Sequence, residues 1–372
     1  PYKYVMDQKW DKTLTEILPE IVKANNSDEF YKGFRKIAAR LNDSHVDFAT
    51  YNNSIFGNTI KLFPADGKII DEKLVITEIT GDSLAEVDHI KVGDVITKID
   101  GKTIKEYIEA NRDYYAASNE PKYLDKLVRK ILSNSSEKVE VEFLKDGKYI
   151  TKSMIWMGHH ESHNNEYKKG AQKKKDKFKL LDNNIGYVNM GVIKPRHVSD
   201  MIEALKSTKA IVFDMRNYPN GTWEDISNFL NPEEKKFCDY TFPYLNYPGK
   251  FVWEDGRKCG FKNKDNYKGK VIVLLNEDSI SQSEWTAMCF QTSGNTTIIG
   301  SQTAGADGNN IQLDFKELHT SYSGIGVYYP DGRETQRIGI VPDIEVKPTI
   351  KGIQEGRDEV LDRALKFIET GV

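Results

Sequence analysis

KVIVLLNEDSISQSEWTAMCFQTSGNTTIIGSQTAGADG, residues 270–308, is the stretch that decides the fold of this 372-residue chain. Five apolar residues, 271–275, open it, and so short and continuous a run is typical of a strand buried on both faces of a parallel sheet. Ser279, Ser281 and Ser283 then lead into a segment with the composition of a helix. A hydroxyl at such a junction lies at the rim of the sheet, beside the free N–H groups of the first helical turn.

Serine is also a preferred N-cap residue, so capping alone would account for these three serines. The whole stretch, however, resembles the nucleophile segment of the C-terminal processing (tail-specific) and tricorn-like serine peptidases. Their pattern is an apolar strand, Ser-x-Ser-x-Ser-Glu, a helix, and a strand that ends in Gly-x-x-Thr-x-Gly, which residues 279–284 and 300–305 match. The resemblance implies that the middle serine, Ser281, is the nucleophile.

The general base must differ from that of the tail-specific branch, whose lysine position is occupied here by Ala306. A histidine after a helix, such as His45, is most often a capping or packing residue. The tricorn-like branch, however, carries its base in a Ser-His or Asp-x-His element near the end of an N-terminal helix. The resemblance therefore implies that His45 is the base and that Ser44 orients it, and an imidazole pKa near neutrality suits proton transfer from a serine.

A second turn supplies candidates for an oxyanion hole. Residues 210–214, AIVFD, are predicted to form a buried strand, and MRNYPNG follows at 215–221. Alone, Pro-Asn-Gly predicts only a tight turn. The segment resembles the family's Asp-Φ-Arg-Asn-x-Pro-Gly-Gly turn, with Asn220 in place of the first glycine. This implies that the N–H groups of Gly221 and Gln282 bind the oxyanion.

The third catalytic member is expected shortly before Pro342-Asp343, where the tricorn-like branch has an orienting glutamate. The matching residue is Gln336, and Glu334 lies two positions away as the alternative. A glutamine can hold an imidazole by a hydrogen bond but cannot stabilise an imidazolium by charge. The choice between the two stays open at this stage.

The sequence predicts an α/β multidomain protein with three parts: an N-terminal helical segment (1–62), a PDZ-like β-rich domain (63–157) and an α/β core with a C-terminal helix (158–372). Within the first part, Pro19 should kink or divide the first helix. The resemblance implies a crotonase/ClpP-like core.

A Gly-Asp-x-Ile strand and an Asp-Gly turn support the PDZ resemblance, and residues 105–133 form a long helix-like insertion. No clean Gly-Φ-Gly-Φ loop lies upstream of Leu74, so peptide capture by this domain stays open.

Composition excludes several classes of function. A net charge of −3 argues against a nucleic-acid-binding protein, and no apolar run is long enough to span a membrane. The chain starts at Pro1, so we expect a trimmed start, and the resemblance implies a periplasmic or secreted location. Three cysteines allow at most one disulfide, of which Cys238–Cys259 is the conceivable one.

We therefore expect a serine endopeptidase that acts on peptides or unfolded proteins, with no metal or organic cofactor. The alternative is a catalytically impaired peptide-binding protein that keeps the fold, an interpretation that Gln336 and Asn220 favour. A metal-dependent hydrolase centred on His159 and His163 ranks third, because no further ligand accompanies them. The sequence does not fix the oligomeric state.

Overall fold

A computed structural model of the chain describes residues 2–50, 60–158, 176–316 and 318–372. In the N-terminal part, two helices pack against each other and a short strand follows. In chain order these elements are α1 (Trp10–Val22), α2 (Ser27–Ala39) and β1 (Phe48–Thr50).

Of the two predicted effects of Pro19, a kink or a division of the first helix, the division is wrong, because α1 runs through Pro19 to Val22. Pro19 lies in the last turn, and its missing N–H removes one backbone hydrogen bond of the helix, the one to the Thr15 carbonyl oxygen. The buried side chains of Ile17 and Ile21 lie on either side of Pro19 and hold the helix against the rest of the protein.

The β-rich unit that follows contains an antiparallel sheet with strand order β3-β4-β5-β8-β9, and β6 pairs with β5. The predicted hairpin at 146–147 is confirmed, since β8 and β9 pair from Lys145↔Lys148 outwards. The elements are β2 (Lys61–Leu62), β3 (Ala65–Ile70), β4 (Lys73–Ile79), α3 (Asp82–Val87), β5 (Val95–Ile99), β6 (Lys102–Thr103), α4 (Ile104–Asn111), α5 (Glu120–Ile131), β7 (Ser133–Asn134), β8 (Val139–Lys145), β9 (Lys148–Met154) and β10 (Met157–Gly158).

The C-terminal part contains a six-stranded sheet with order β11-β12-β13-β18-β19-β23, parallel except for β11. Its elements are β11 (Phe178–Leu181), β12 (Ile185–Asn189), α6 (Val198–Leu205), β13 (Ala210–Asp214), α7 (Trp223–Leu230), β14 (Lys235–Lys236), β15 (Asp239–Pro243), β16 (Phe251–Glu254), β17 (Lys258–Cys259), β18 (Lys270–Leu275), α8 (Gln282–Gln291), β19 (Thr296–Gly300), β20 (Asn310–Phe315), β21 (Leu318–Ser323), β22 (Gly326–Tyr328), β23 (Ile344–Glu345), α9 (Ile350–Gln354) and α10 (Glu359–Thr370).

The continuous apolar runs are explained by helices on both faces of this sheet. Alternate residues of β18, such as Val271 and Val273, pack with residues of α6, α7 and α8, whereas Ile272 and Leu274 pack with α10. Because neither face meets water, no polar alternation is needed. The predicted double burial of β13 and β18 is therefore confirmed.

A smaller sheet joins the N-terminal segment to the core. β21 pairs on one side with β20 and on the other with β1, with Phe48 opposite Thr320. This pairing brings the residues just before β1, including His45, to β21. The pairing partners lie far apart in sequence, so the juxtaposition depends on the tertiary fold.

Two further sequence predictions concern a disulfide and a membrane-spanning segment. Cys238, Cys259 and Cys289 are buried free thiols, so the conceivable Cys238–Cys259 disulfide does not form. The Cys259 thiol instead lies 3.2 Å from the Thr292 hydroxyl. None of the helices in the described ranges is long and apolar enough to cross a membrane.

Candidate active site

The predicted nucleophile, Ser281, lies at the carboxyl end of the core sheet, in the turn between β18 and α8. Because β13 and β18 are parallel neighbours, the turns that follow them meet at the same edge of the sheet. The Ser279 hydroxyl donates to the Met215 carbonyl oxygen at 2.8 Å, and the Ser283 hydroxyl donates to that of Asn217 at 3.3 Å. Two serines of the motif thus connect the turns and leave the middle one between them.

The backbone of Ser281 is strained, with φ 56° and ψ −116°. A positive φ costs a residue that carries a Cβ about 1–3 kcal/mol, and such residues concentrate at functional sites. Its N–H group donates to the Ala306 carbonyl oxygen at 2.9 Å and to the Glu284 carboxylate at 3.1 Å, contacts that hold this conformation.

Glu284 organises the loop that contacts Ser281, residues 303–306. Its carboxylate is fully buried and accepts hydrogen bonds from the Thr303 hydroxyl and from the N–H groups of Gly305 (2.8 Å) and Ala306 (3.0 Å), besides that of Ser281. Burial raises the pKa of Glu284 to about 7, although these donors favour the ionised form. One carboxylate therefore joins the start of α8 to the 303–306 loop.

His45, the predicted base, is oriented by two residues. Its Nδ1 lies 2.9 Å from the Ser323 hydroxyl oxygen, and that hydroxyl donates to Asp43 Oδ1 at 3.0 Å. The N–H groups of His45 (3.0 Å) and Ser323 (2.6 Å) also donate to the Asp43 carboxylate. The imidazole, the serine and the buried carboxylate form a chain, which we call the Asp43–Ser323–His45 relay.

The relay fixes the tautomer of the imidazole. The Ser323 hydroxyl has one proton, which it donates to Asp43, so Nδ1 of His45 must carry the proton in their shared hydrogen bond. Neutral His45 then keeps a free lone pair on Nε2. That nitrogen is therefore able to accept a proton.

Ser44 does not contact the ring in the way the sequence interpretation expected. Its hydroxyl donates to the Ala304 carbonyl oxygen at 2.6 Å and accepts from the Ser118 N–H at 2.9 Å. Ser44 therefore fixes the segment of His45 to the same 303–306 loop that binds the N–H of Ser281. The loop brings the two predicted catalytic segments together, although no hydrogen bond joins the Ser281 hydroxyl to the imidazole in the part of the chain that the structure describes.

Burial is the main influence on the protonation of His45, and it lowers the pKa of the imidazole. The positive charge of Lys126 lowers that pKa further, whereas the Asp43 carboxylate opposes both effects. The imidazole is thus kept neutral, which is the form that a general base requires.

The two residues predicted to supply the oxyanion donors are neighbours in the structure. Gly221 has a positive φ of 68°, and the side-chain nitrogen of Gln282 is 4.0 Å from the position that a Cβ of Gly221 would occupy. Within the described ranges, neither backbone N–H has a hydrogen-bond acceptor. Asn220, which replaces a glycine of the family pattern, donates its side-chain amide to the Ile193 carbonyl oxygen at 3.1 Å and so fastens the turn.

Gln336 and Glu334, the two predicted third members, do not contact His45 through any hydrogen bond of the described residues. Gln336 is buried and its Oε1 has no partner there. Glu334 accepts a hydrogen bond from the Tyr4 hydroxyl. The carboxylate connected to the imidazole is that of Asp43.

Sequence reasoning missed Asp43, Ser323 and Glu284. The sequence does contain a signal for Asp43, because Asp43-Ser44-His45 matches the Asp-x-His form of the base element as well as the Ser-His form. Ser323, which lies 278 positions from His45, has no local signal. His159 and His163, the metal-site alternative, lie outside the described residues, and the described residues contain no cluster of three or more His, Cys, Asp or Glu that could bind a metal.

Two family profiles match the chain. Residues 184–346 match peptidase family S41, and residues 46–111 match the PDZ domain. A probable CtpA-like serine protease of Staphylococcus haemolyticus is 24% identical over 350 residues, which cover 88% of this chain and 64% of that protein. A carboxy-terminal-processing protease of Bartonella bacilliformis is 27% identical over 198 residues, 49% of this chain and 43% of the relative. The chain thus spans less than two thirds of the length of either relative.

Solved structures share the fold across nearly the whole chain. Mature CPAF in complex with lactacystin has a TM-score of 0.76 at 13% identity and covers 98% of this chain and 93% of its own. A structure described as a putative peptidase from Parabacteroides merdae has a TM-score of 0.60 at 15% identity and covers 100% and 92%. At these identities the likeness concerns the fold alone.

Proposed function

We propose that the protein is a serine endopeptidase that cleaves peptides or unfolded proteins, because residues 184–346 match the model of peptidase family S41 and residues 46–111 match that of the PDZ domain. The observation that carries the proposal is the relay, which leaves Nε2 of His45 free in a segment fastened to the loop that holds Ser281. The same proposal includes a core of crotonase/ClpP-like type and a periplasmic or secreted location. It also divides the chain into three parts, residues 1–62, 63–157 and 158–372.

The reaction begins when Ser281 Oγ attacks the carbonyl carbon of a peptide bond while Nε2 of His45 takes the hydroxyl proton. The carbonyl oxygen becomes an oxyanion, which the N–H groups of Gly221 and Gln282 bind. His45 then gives the proton to the departing amine and an acyl-enzyme remains on Ser281. Water, deprotonated in turn by His45, hydrolyses the ester and restores the hydroxyl. No metal ion or organic cofactor takes part.

Asp43 acts through Ser323 in this mechanism. When His45 becomes an imidazolium, the carboxylate stabilises the positive charge through the intervening hydroxyl, and the hydrogen bond to Nδ1 holds the ring in one orientation. The proposal thereby assigns the third position to Asp43 in place of Gln336 or Glu334. Ser44 is given a different role, which is to hold the segment.

We expect Asp43→Asn to lower the rate of peptide hydrolysis by about 10²-fold, because the relay loses its charge. In the wild-type protein the negative charge of Asp43 also raises the pKa of His45. The acid limb of the pH–rate profile should therefore move to lower pH in the variant, since the imidazole stays neutral further into the acid range. Glu334→Gln is the matched control, and a larger loss in that variant than in Asp43→Asn would contradict the assignment.

Labelling with a fluorophosphonate probe tests the proposed function directly. The wild-type chain is expected to react once, and peptide mapping by mass spectrometry should locate the phosphonyl group on Ser281. A parallel sample with a chelator should label equally. Folded wild-type protein that stays unlabelled would instead favour the peptide-binding alternative, and a loss of peptide hydrolysis on adding the chelator would favour a metal-dependent hydrolase.

A further inference from the structure

The helical insertion of the β-rich unit, residues 105–133, contacts the base segment on both sides of His45. Upstream of the imidazole, the Ser44 N–H donates to the Ser118 hydroxyl and the Ser118 N–H donates to the Ser44 hydroxyl, both at 2.9 Å. Both serines are buried. This reciprocal pair leaves the backbone before His45 little freedom to shift.

Downstream of the imidazole, the insertion provides a cation. The Lys126 ammonium donates to the carbonyl oxygens of Val46 at 2.8 Å and of Ala116 at 2.9 Å. The first oxygen belongs to the residue that follows His45, and the second belongs to the insertion. Lys126 therefore joins the two segments at a second point.

The same insertion also contacts the loop that holds the nucleophile. The side-chain amide of Asn119 donates to the carbonyl oxygens of Thr303 at 2.8 Å and Arg337 at 3.3 Å. The Arg337 guanidinium donates in return to the Ser118 carbonyl oxygen at 3.0 Å. Two consecutive residues of the insertion thus contact the segment of the base and the 303–306 loop at the same time.

We infer that Ser118 and Asn119 are positioning residues for catalysis, which fix the distance between His45 and Ser281 from outside the peptidase core. The inference rests on the proposed function, since it concerns the same base and nucleophile. A misplacement of reacting groups by about 1 Å can cost about 10²-fold in rate. Neither residue touches the substrate or the reacting atoms in this scheme, so their effect acts through the two segments they join.

Asn119→Asp is the sharper of two test variants. Asn119 Oδ1 caps α5 by accepting the Lys122 N–H at 3.1 Å, and aspartate keeps that cap. The carboxylate, however, has no N–H to donate to the carbonyl oxygens of Thr303 and Arg337. The variant should therefore stay folded and lose only the connection to the 303–306 loop.

Ser118→Ala removes the acceptor of the Ser44 N–H and provides the second variant. Ser136→Ala is the matched control, because Ser136 is an exposed serine that follows the same insertion. We expect fluorophosphonate labelling of Ser281 to be at least about tenfold slower in Asn119→Asp and Ser118→Ala, and unchanged in Ser136→Ala.

The titration of His45, followed by NMR, provides a readout that a purely structural role would not move. Asp43 on its own segment, Ser323 on β21 and Lys126 on α5 face the imidazole. In Ser118→Ala the looser segment should hydrate, and the titration midpoint of His45 should rise towards that of an exposed histidine. Labelling rates and a His45 titration that both match the wild type would overturn the inference.

The NMR readout also separates this inference from the proposed function. If wild-type protein is not labelled at all, the peptidase proposal fails, and the His45 titration alone decides about the insertion. A midpoint that moves in Ser118→Ala but not in Ser136→Ala would still support positioning of His45 by the insertion. An unchanged midpoint would reject it.

Discussion

Replacing either Ser281 or His45 with alanine is expected to lower the rate of peptide hydrolysis by about 10⁴-fold or more, and Ser281→Ala should abolish fluorophosphonate labelling. The physical reason is that the two residues act as a unit in the proposed mechanism. Without the hydroxyl there is no nucleophile, and without the imidazole the hydroxyl keeps its proton. The double variant should therefore be no slower than either single variant, which steady-state kinetics on an unfolded protein substrate would measure.

Two controls keep this result specific. Ser135→Ala removes an exposed hydroxyl, and His197→Ala removes a partly exposed imidazole whose Nδ1 accepts the Lys194 N–H. Both should retain the activity of the wild type. A double variant whose loss equals the product of the two single losses would show that Ser281 and His45 act independently, and the proposed mechanism would then be wrong.

The core could be predicted from the sequence because its strands have a distinctive local pattern. The apolar runs of β13 and β18 admit hardly any structure other than doubly buried strands, and the helices on both faces of the sheet explain why. The position of Ser281 follows from the same local logic, as the residue where a buried strand turns into a helix. Local sequence specifies local structure here.

The surroundings of His45 could not be predicted in the same way, because they come from three distant parts of the chain. Ser323 reaches the imidazole through the pairing of β1 with β21, and Ser118 reaches Ser44 from the β-rich unit. Neither contact leaves a periodic signal in the sequence. The orienting role first given to Ser44 rested on its position next to His45, whereas the structure directs the Ser44 hydroxyl towards Ala304.

Glu284 shows how a capping motif can have a second use. A glutamate at the third residue of α8 is the pattern of a capping box, in which it pairs with the serine just before the helix, here Ser281. In the structure one of its oxygens does receive the Ser281 N–H, but three further donors come from the 303–306 loop. The loop has Ala306 where the tail-specific pattern has a lysine, and it is still held beside Ser281 because the Glu284 carboxylate fixes its backbone.

Glu284→Gln is therefore expected to destabilise the protein by about 2–5 kcal/mol and to reduce labelling of Ser281. The substitution keeps the shape of the side chain but turns one oxygen into an NH₂ group. If Oε1 keeps its hydrogen bonds with Thr303 and Gly305, the new NH₂ group takes the place of the oxygen that accepts from Ser281 and Ala306. An NH₂ group cannot accept these hydrogen bonds, so donors would face donors in a buried site. Urea unfolding monitored by fluorescence would measure the loss.

Glu106→Gln is the matched control for this change, because Glu106 makes a capping box with Thr103 at the exposed start of α4. There the lost acceptor is replaced by water, so the unfolding midpoint should stay close to that of the wild type. If Glu284→Gln unfolds at the same urea concentration as Glu106→Gln, the buried carboxylate does not hold the 303–306 loop. If Glu284→Gln is destabilised but labels at the wild-type rate, the carboxylate stabilises the fold without positioning Ser281. The strained backbone of Ser281 is then maintained by its hydrogen bond to the Ala306 carbonyl oxygen.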